Sequence, residues 1–291
     1  MKNIKLNDMS VSQIVLGTDG YGERIEKPTA FKIMDTYLNN GGNIIDTARL
    51  YTNGLSESYV GEFIHGIRDN VYISTKCAHP PLSDMSQNRL NERDIEYDID
   101  MSLKTLGVEY IDIAWLHRDD ITLSVNPIID AMNKMVKKGK IRYFGASNWT
   151  HGRISDANAY AESSNQSGFI ASQPLYNMAT RTKVWDNTLV CLEDEEKNKY
   201  DKSHMPVFAF SSQAKGFFEK YAQGTLSEKA KERYMNSHTV KTFEDIKNKS
   251  DITGNTISFT ALSMLIEQSN FDVFPIIGPS NVNQLKSTLN I

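Results

Sequence analysis

Residues 110–116 read YIDIAWL, and the chain turns polar at once afterwards, with His117, Arg118, Asp119 and Asp120. A short run that is apolar at nearly every position suits a strand buried on both faces. Seven other runs share that character. The candidate strands are Ile14–Gly17, Asn43–Asp46, Val71–Thr75, Ile111–Leu116, Tyr143–Ser147, Phe169–Gln173, Val207–Phe210 and Phe274–Ile277. Longer stretches with helical spacing separate them. In Asn88–Leu106, the residues Ile95, Ile99, Leu103 and Leu106 recur on one helical face. Pro127 opens another helix, with Ile128, Met132, Met135 and Val136 inside and Gly139 at its end; Thr256–Glu267 repeats the pattern with Ile257, Leu262, Leu265 and Ile266.

Eight strand–helix alternations in 291 residues predict an α/β chain closed into a (β/α)8 TIM barrel, in preference to an open doubly wound sheet. The opening IKLNDMSVSQIV predicts a short N-terminal β-hairpin turning at Asn7-Asp8. The expectation is a single barrel domain over residues 1–291. Two loop insertions are expected. One lies near 181–204 and holds the charged run LEDEEKNKYDK and a helix. The other, near 220–254, is polar and exceeds the usual connection of about 2–6 residues.

Composition narrows the function classes. Lys+Arg total 32 against Asp+Glu 36, a net charge of −4, which argues against a nucleic-acid binder needing a basic face. No apolar run reaches the roughly 18 residues of a membrane span, and the N-terminus lacks the apolar core of a signal peptide. Cys77 and Cys191 are far apart, which suits a reducing cytoplasm and supplies no cysteine-built metal site. The expected partner is a small molecule, with no metal, membrane or nucleic acid.

In a barrel, chemistry sits where strands end. The second run ends in Asp46, with Tyr51 five residues on. The third leads to Lys76, the fourth to His117, the fifth to Ser147, Asn148 and Trp149, and the sixth to Gln173. Taken singly, each has an ordinary explanation as a cap, a packing residue or a solvated charge. Their joint placement on successive strand ends does not.

Asp46, Tyr51, Lys76 and His117, in that order and on those strands, resemble the catalytic tetrad of the aldo-keto reductases. The resemblance runs over nearly the whole chain, through QIVLGTDGYG, NIIDTARLYTNGLSESYVGEFI, ISTK, DIAWLHRDD, VKKGKIRYFGASNW, SQPLYN, FAFSSQAKGFF and VFPIIGPSNVNQL. It implies reduction of an aldehyde or ketone, including sugar-like carbonyls, by NADP(H) in preference to NAD(H). Tyr51 is then the proton donor. Lys76 lowers the phenol pKa from its usual value near 10, Asp46 holds Lys76, and His117 orients the carbonyl oxygen.

The resemblance also assigns the cofactor positions. Ser147, Asn148 and Gln173 match the residues that bond the nicotinamide carboxamide, and Phe210 matches the ring that stacks on the nicotinamide. Ser211, Gln213, Lys215 and Gly216 match the pyrophosphate loop. Thr18 completes the first strand end, and Gly278, Ser280 and Gln284 match the adenosine side. Tyr21 and Trp149 are the candidate substrate-pocket aromatics, and Arg118, Asp119 and Asp120 would make that pocket polar.

Several departures stand out. SSQAKG lacks the Pro that many members carry after the first Ser. Pro279 and Gln284 stand where members selective for NADP usually carry Lys or Arg, leaving Lys215 and Lys286 as the nearest cations. The chain ends at Ile291, whereas members commonly continue into a segment that helps close the substrate pocket. Two other functions compete: a non-catalytic regulatory protein that keeps cofactor binding, and a Schiff-base lyase acting through Lys76.

Overall fold

The computed structural model describes the backbone of residues 1–291 and every side chain except that of Asp194. Strands β1 (Asn3–Leu6) and β2 (Met9–Ser12) form the expected antiparallel hairpin. Asn7, at φ +53°, makes its turn; Asn tolerates this left-handed conformation better than most residues. Eight parallel strands then close a barrel: β3 (Val15–Gly17), β4 (Ile44–Asp46), β5 (Tyr72–Cys77), β6 (Ile111–Leu116), β7 (Ile141–Ser147), β8 (Ser172–Gln173), β9 (Val207–Ala209) and β10 (Val273–Ile277). Closure is through β10 pairing with β3. The fold is the (β/α)8 TIM barrel.

The barrel interior is filled rather than hollow. Val15, Ile44, Ile113, Trp115, Phe208 and Phe274 form one buried cluster, and Leu6, Met9 and Val11 of the hairpin belong to it. The hairpin therefore plugs one end of the barrel and leaves the other for chemistry. The outer cluster joins strand faces such as Ile45, Ile73 and Leu116 to the apolar stripes of the surrounding helices.

Those helices are α1 (Lys27–Asn39), α2 (Leu55–Ile64), α3 (Glu92–Leu106), α4 (Asn126–Lys137), α5 (His151–Ser163) and α6 (Asp194–Ser203). The helix expected from Asn88 starts at Glu92. Asn91 is its cap, accepting from the Asp94 amide, and Gly107 ends it at φ +66°. The sixth strand, expected from Phe169, is only two residues long.

Residues 220–254, expected as polar loop, are largely helical. After β9 come α7 (Phe217–Ala222), α8 (Glu228–Tyr234) and α9 (Ser237–Thr253), before α10 (Ile257–Glu267) and α11 (Val282–Leu289). Ser227 and Asn236 cap α8 and α9 by accepting amide hydrogens from Ala230 and Thr239. Tyr234, Phe243 and Ile246 bury against Phe217, Phe218 and Ala261. So few apolar residues in a polar stretch give a weak periodic signal, but three tertiary anchors suffice once α10 provides a wall.

Candidate active site

Asp46 is the last residue of β4, and Lys76 lies one residue before the end of β5. The two are register neighbours across the sheet, because Asp46 pairs with Ser74, two residues before Lys76 on the same face. Lys76 Nζ lies 2.5 Å from Asp46 Oδ2, 2.8 Å from the Thr47 carbonyl and 3.0 Å from Tyr51 Oη. Asp46 Oδ1 accepts from Ser74 Oγ at 2.6 Å and Gln173 Nε2 at 3.2 Å. Asp46 and Lys76 are 2% and 3% exposed, so both charges depend on each other for compensation.

Tyr51 reaches this pair from a short 3-10 turn. Thr52 and Asn53 are left-handed there, and Gly54 sits at φ +88°. A side chain at position 54 would also strike the Arg49 guanidinium. Glycine thus lets the chain fold back from the β4 tip with the phenol over Lys76.

The electrostatics differ from the sequence expectation in one respect. Burial pushes the Tyr51 phenol above its ordinary value, Lys76 pulls it back, and Asp46 adds to the rise. The net direction is upward, so Tyr51 keeps its proton through neutral pH. Burial also works against the Lys76 ammonium, but Asp46 and Tyr51 outweigh it and hold Lys76 above its usual range. Burial, then the cations Lys76 and Arg118, keep His117 well below its ordinary value, so its imidazole is neutral.

His117 follows β6. Its Nδ1 is buried and has no partner among the described residues. A proton there would have no acceptor, so it belongs on Nε2. Its ring meets those of Tyr51 and His79 edge-on, with centroids 6.2 and 4.7 Å apart.

A cavity of about 1140 Å³ opens over the tetrad. It is lined by Asp46, Tyr51, Lys76, His117, Thr18, Ser147, Asn148, Gln173, Phe210, Ser211, Gln213, Lys215, Gly216, Gly278, Ser280 and Gln284, which the structure brings together from all eight strand ends and their following loops. Asn148 is left-handed at φ +60°; its Nδ2 donates to the His117 carbonyl and to Ser147 Oγ. Gln173 Oε1 is fully buried and has no partner among the described residues. Ser211, Ala214 and Lys215 are all left-handed, a strained run for residues with side chains.

Four expectations need correction. Tyr21 and Trp149, expected on the substrate wall, are 1% and 0% exposed and lie outside the cavity lining. Trp149 Nε1 donates to the Arg118 carbonyl, and its ring packs on Phe169. Tyr21 packs in the outer core, and its hydroxyl has no partner among the described residues. Asp119 and Asp120 turn away from the cavity, Asp119 to Arg153 and Asp120 to cap Thr122; only Arg118 of the polar trio lines it. Lys286 is exposed and is not a lining residue, whereas Lys215 is.

The sequence reading missed His79, Asp19, Arg24, Lys220, Lys229 and Arg233, all on the cavity wall. His79 stands three residues beyond Lys76, close enough to a strand end to have been found. Lys229 and Arg233 carried no signal until α8 was known to exist.

The model of the Aldo/keto reductase family matches residues 13–291. The chain is 26% identical to norsolorinic acid reductase B of Dothistroma septosporum, with 96% of this chain and 74% of that protein aligned. It is 27% identical to a probable voltage-gated potassium channel subunit beta of Arabidopsis thaliana, over 99% of this chain and 89% of that one. A crystal structure of an aldo-keto reductase from Klebsiella pneumoniae in complex with NADPH shares the fold, with a TM-score of 0.74 at 22% identity, covering 100% of this chain and 90% of that chain. The chain belongs to the aldo/keto reductase family.

Proposed function

We propose that this family member interconverts a small-molecule carbonyl and its alcohol in the cytoplasm, using NADP(H) in preference to NAD(H), with Tyr51 as the proton donor. One observation carries this reading. An ammonium has three N–H donors, and Lys76 spends them on Asp46, the Thr47 carbonyl and Tyr51 Oη. Lys76 thus occupies a lone pair of the phenol oxygen and leaves the phenol hydrogen free for a group in the cavity. When that hydrogen leaves, the phenolate forms directly beside a buried cation. His117, with its proton on Nε2, offers a second donor to the carbonyl oxygen of the substrate.

The nicotinamide, when bound, supplies the hydride, which no side chain can supply. The residues present fit such a dinucleotide. The unpaired Gln173 Oε1 is an acceptor waiting for an amide N–H, beside Ser147 and Asn148. Phe210 offers a ring face. Ser211 to Gly216 and Thr18 line the middle of the cavity, and Gly278, Ser280 and Gln284 its far end. Lys215 has Arg24, Lys229 and Arg233 as charged neighbours, with Asp19 opposing them. That group of cations suits phosphates and replaces the missing cations at Pro279 and Gln284.

The test is a screen of aldehydes and ketones with NADPH and NADH, following the absorbance of the reduced cofactor. Turnover by the native protein with loss in Tyr51→Phe supports the reading; equal turnover in both removes Tyr51 from it. The channel-subunit relative keeps a regulatory reading in view, in which cofactor binds and no carbonyl turns over. The available Tyr51 proton favours catalysis. A Schiff-base role for Lys76 is disfavoured, since its ammonium is held protonated and its donors are spent.

A further inference from the structure

Arg118 presents cationic donors to the cavity that no group of the described residues takes up. It follows His117 at the end of β6. Its Nε donates to Thr188 Oγ1 at 3.1 Å, and its Nη1 donates to the His117 carbonyl at 2.9 Å. A guanidinium carries five N–H donors, so three are left over. None of them has a partner among the described residues, and Nη2, which carries two of the three, is not sealed off; Arg118 lines the cavity. No carboxylate of the described residues comes within 4.0 Å of it. Among the other half-buried arginines, Arg68, Arg89, Arg142, Arg153 and Arg181 each pair with a carboxylate at 2.8–3.2 Å, while Arg49 and Arg233 have no such pair among the described residues.

The two fixed contacts aim the side chain. Thr188 is itself held by Asp186 Oδ1, through its amide and hydroxyl, so the guanidinium rests on a braced loop. Asp186 is the nearest source of negative field, felt by both Arg118 and His79, yet it stays beyond ion-pair distance. Apart from Asp46, which is compensated by Lys76, the surroundings are otherwise positive or neutral. Lys76, neutral His117 and neutral His79 share this end of the cavity, with Leu50, Leu82 and Leu189 as its apolar walls.

Arg118 is poorly placed to serve a dinucleotide phosphate. The cations grouped for that purpose, Lys215, Arg24, Lys229 and Arg233, interact with one another and with Asp19, and Arg118 is not among their partners. Arg118 instead sits beside His117, whose ring centroid lies 6.2 Å from that of Tyr51, and both Arg118 and Tyr51 line the same cavity. A guanidinium partly removed from water, with three free donors beside the proton donor, is a site for an anion on the reacting molecule.

We propose that the carbonyl substrate bears an anionic group, a carboxylate or a phosphate, bound by Arg118 a few atoms from the reacting carbon. This rests on the carbonyl-reductase reading above and deepens it.

The test compares matched aldehydes with NADPH: 4-oxobutanoate, its neutral methyl ester, and an aldehyde of similar length ending in phosphate. The readout is the ratio of kcat/KM for the charged aldehyde to that for the ester. Charge-assisted hydrogen bonds of this kind lead to a ratio of about 10–100 in the native protein. Arg118→Gln brings it near one, Arg118→Lys retains part of it, and Asp186→Asn raises it about two- to threefold. The carboxylate and phosphate arms identify which anion is preferred. A native ratio near one, or a ratio unchanged in Arg118→Gln, overturns the proposal.

A second measurement separates this from failure of the reductase reading. Binding of 4-hydroxybutanoate to the NADPH-loaded protein is followed by calorimetry, with thermal unfolding confirming that each variant is folded. Binding that weakens at least tenfold in Arg118→Gln, with no aldehyde turned over, supports the anion site and rejects the reductase reading. Turnover of neutral aldehydes with no Arg118-dependent binding or preference does the reverse.

Discussion

The cavity has two ends, built on opposite principles. At the tetrad, the charged groups stand on strands, almost fully buried, and their hydrogen bonds are spent before anything binds. At the far end, the lining comes from the left-handed run Ser211, Ala214 and Lys215, from the seven-residue helix α8 and from the start of α11, and its polar groups face water. The contrast matches what each end must do. A proton donor is useful only if its pKa and direction are set in advance, which requires buried partners with fixed geometry. Phosphates need positive charge over a wide area, and mobile side chains provide it.

The contrast predicts large effects at one end and small ones at the other. Tyr51→Phe should lower turnover by about 10²–10⁴ while cofactor affinity stays within about twofold, since the hydroxyl serves proton transfer alone. A comparable loss of cofactor binding would show that the two ends are not separable. Lys76→Met should match that kinetic loss and also destabilise the fold by about 3–5 kcal/mol, because it strands the buried Asp46 carboxylate. Denaturant unfolding measures this; an unchanged midpoint would mean that Asp46 is relieved by Ser74 and Gln173 alone.

At the cofactor end, Lys215→Ala should weaken NADPH binding about tenfold and NADH binding less, with Lys286→Ala neutral, as followed by quenching of Trp fluorescence. Equal effects of the two changes would place the phosphate elsewhere.

A pH series sharpens the comparison further. His117 and, through burial, His79 both lie below the ordinary histidine value of 6.5. Just below that value the unfolded chain binds more protons than the folded one, so stability is complete above about pH 6.5 and falls as the medium is acidified. Thermal unfolding across that range should show the slope, and His117→Asn should flatten it. If the slope survives unchanged, the buried imidazoles are not its source. The smallest effect belongs to Tyr21→Phe. It removes a buried hydroxyl that has no partner, so stability should hold or rise slightly and kcat/KM should stay within about twofold. A large kinetic loss would return Tyr21 to the substrate wall.

Much of this arrangement was legible in the chain. The eight apolar runs, the hairpin turn at Asn7 and the strand-end positions of Asp46, Lys76 and His117 depend on local pattern, and a closed parallel barrel turns strand ends into one neighbourhood. Residues 220–254 were not legible as helices, because Tyr234, Phe243 and Ile246 gain their meaning only against Phe217 and α10.

Sequence alone thus determined the barrel and that Asp46, Lys76 and His117 would meet at its open end. It did so because strand periodicity is local and barrel closure leaves little freedom. Only the tertiary structure decided what each polar group has left to offer. Arg118 and Asp119 are neighbours in sequence, yet Asp119 is consumed by Arg153 while Arg118 keeps three donors free. Lys76 spends all its donors, and Trp149 turns inward to the Arg118 carbonyl. Such outcomes depend on partners far apart in the chain, and hydrogen-bond saturation is a property of the folded neighbourhood rather than of the residue.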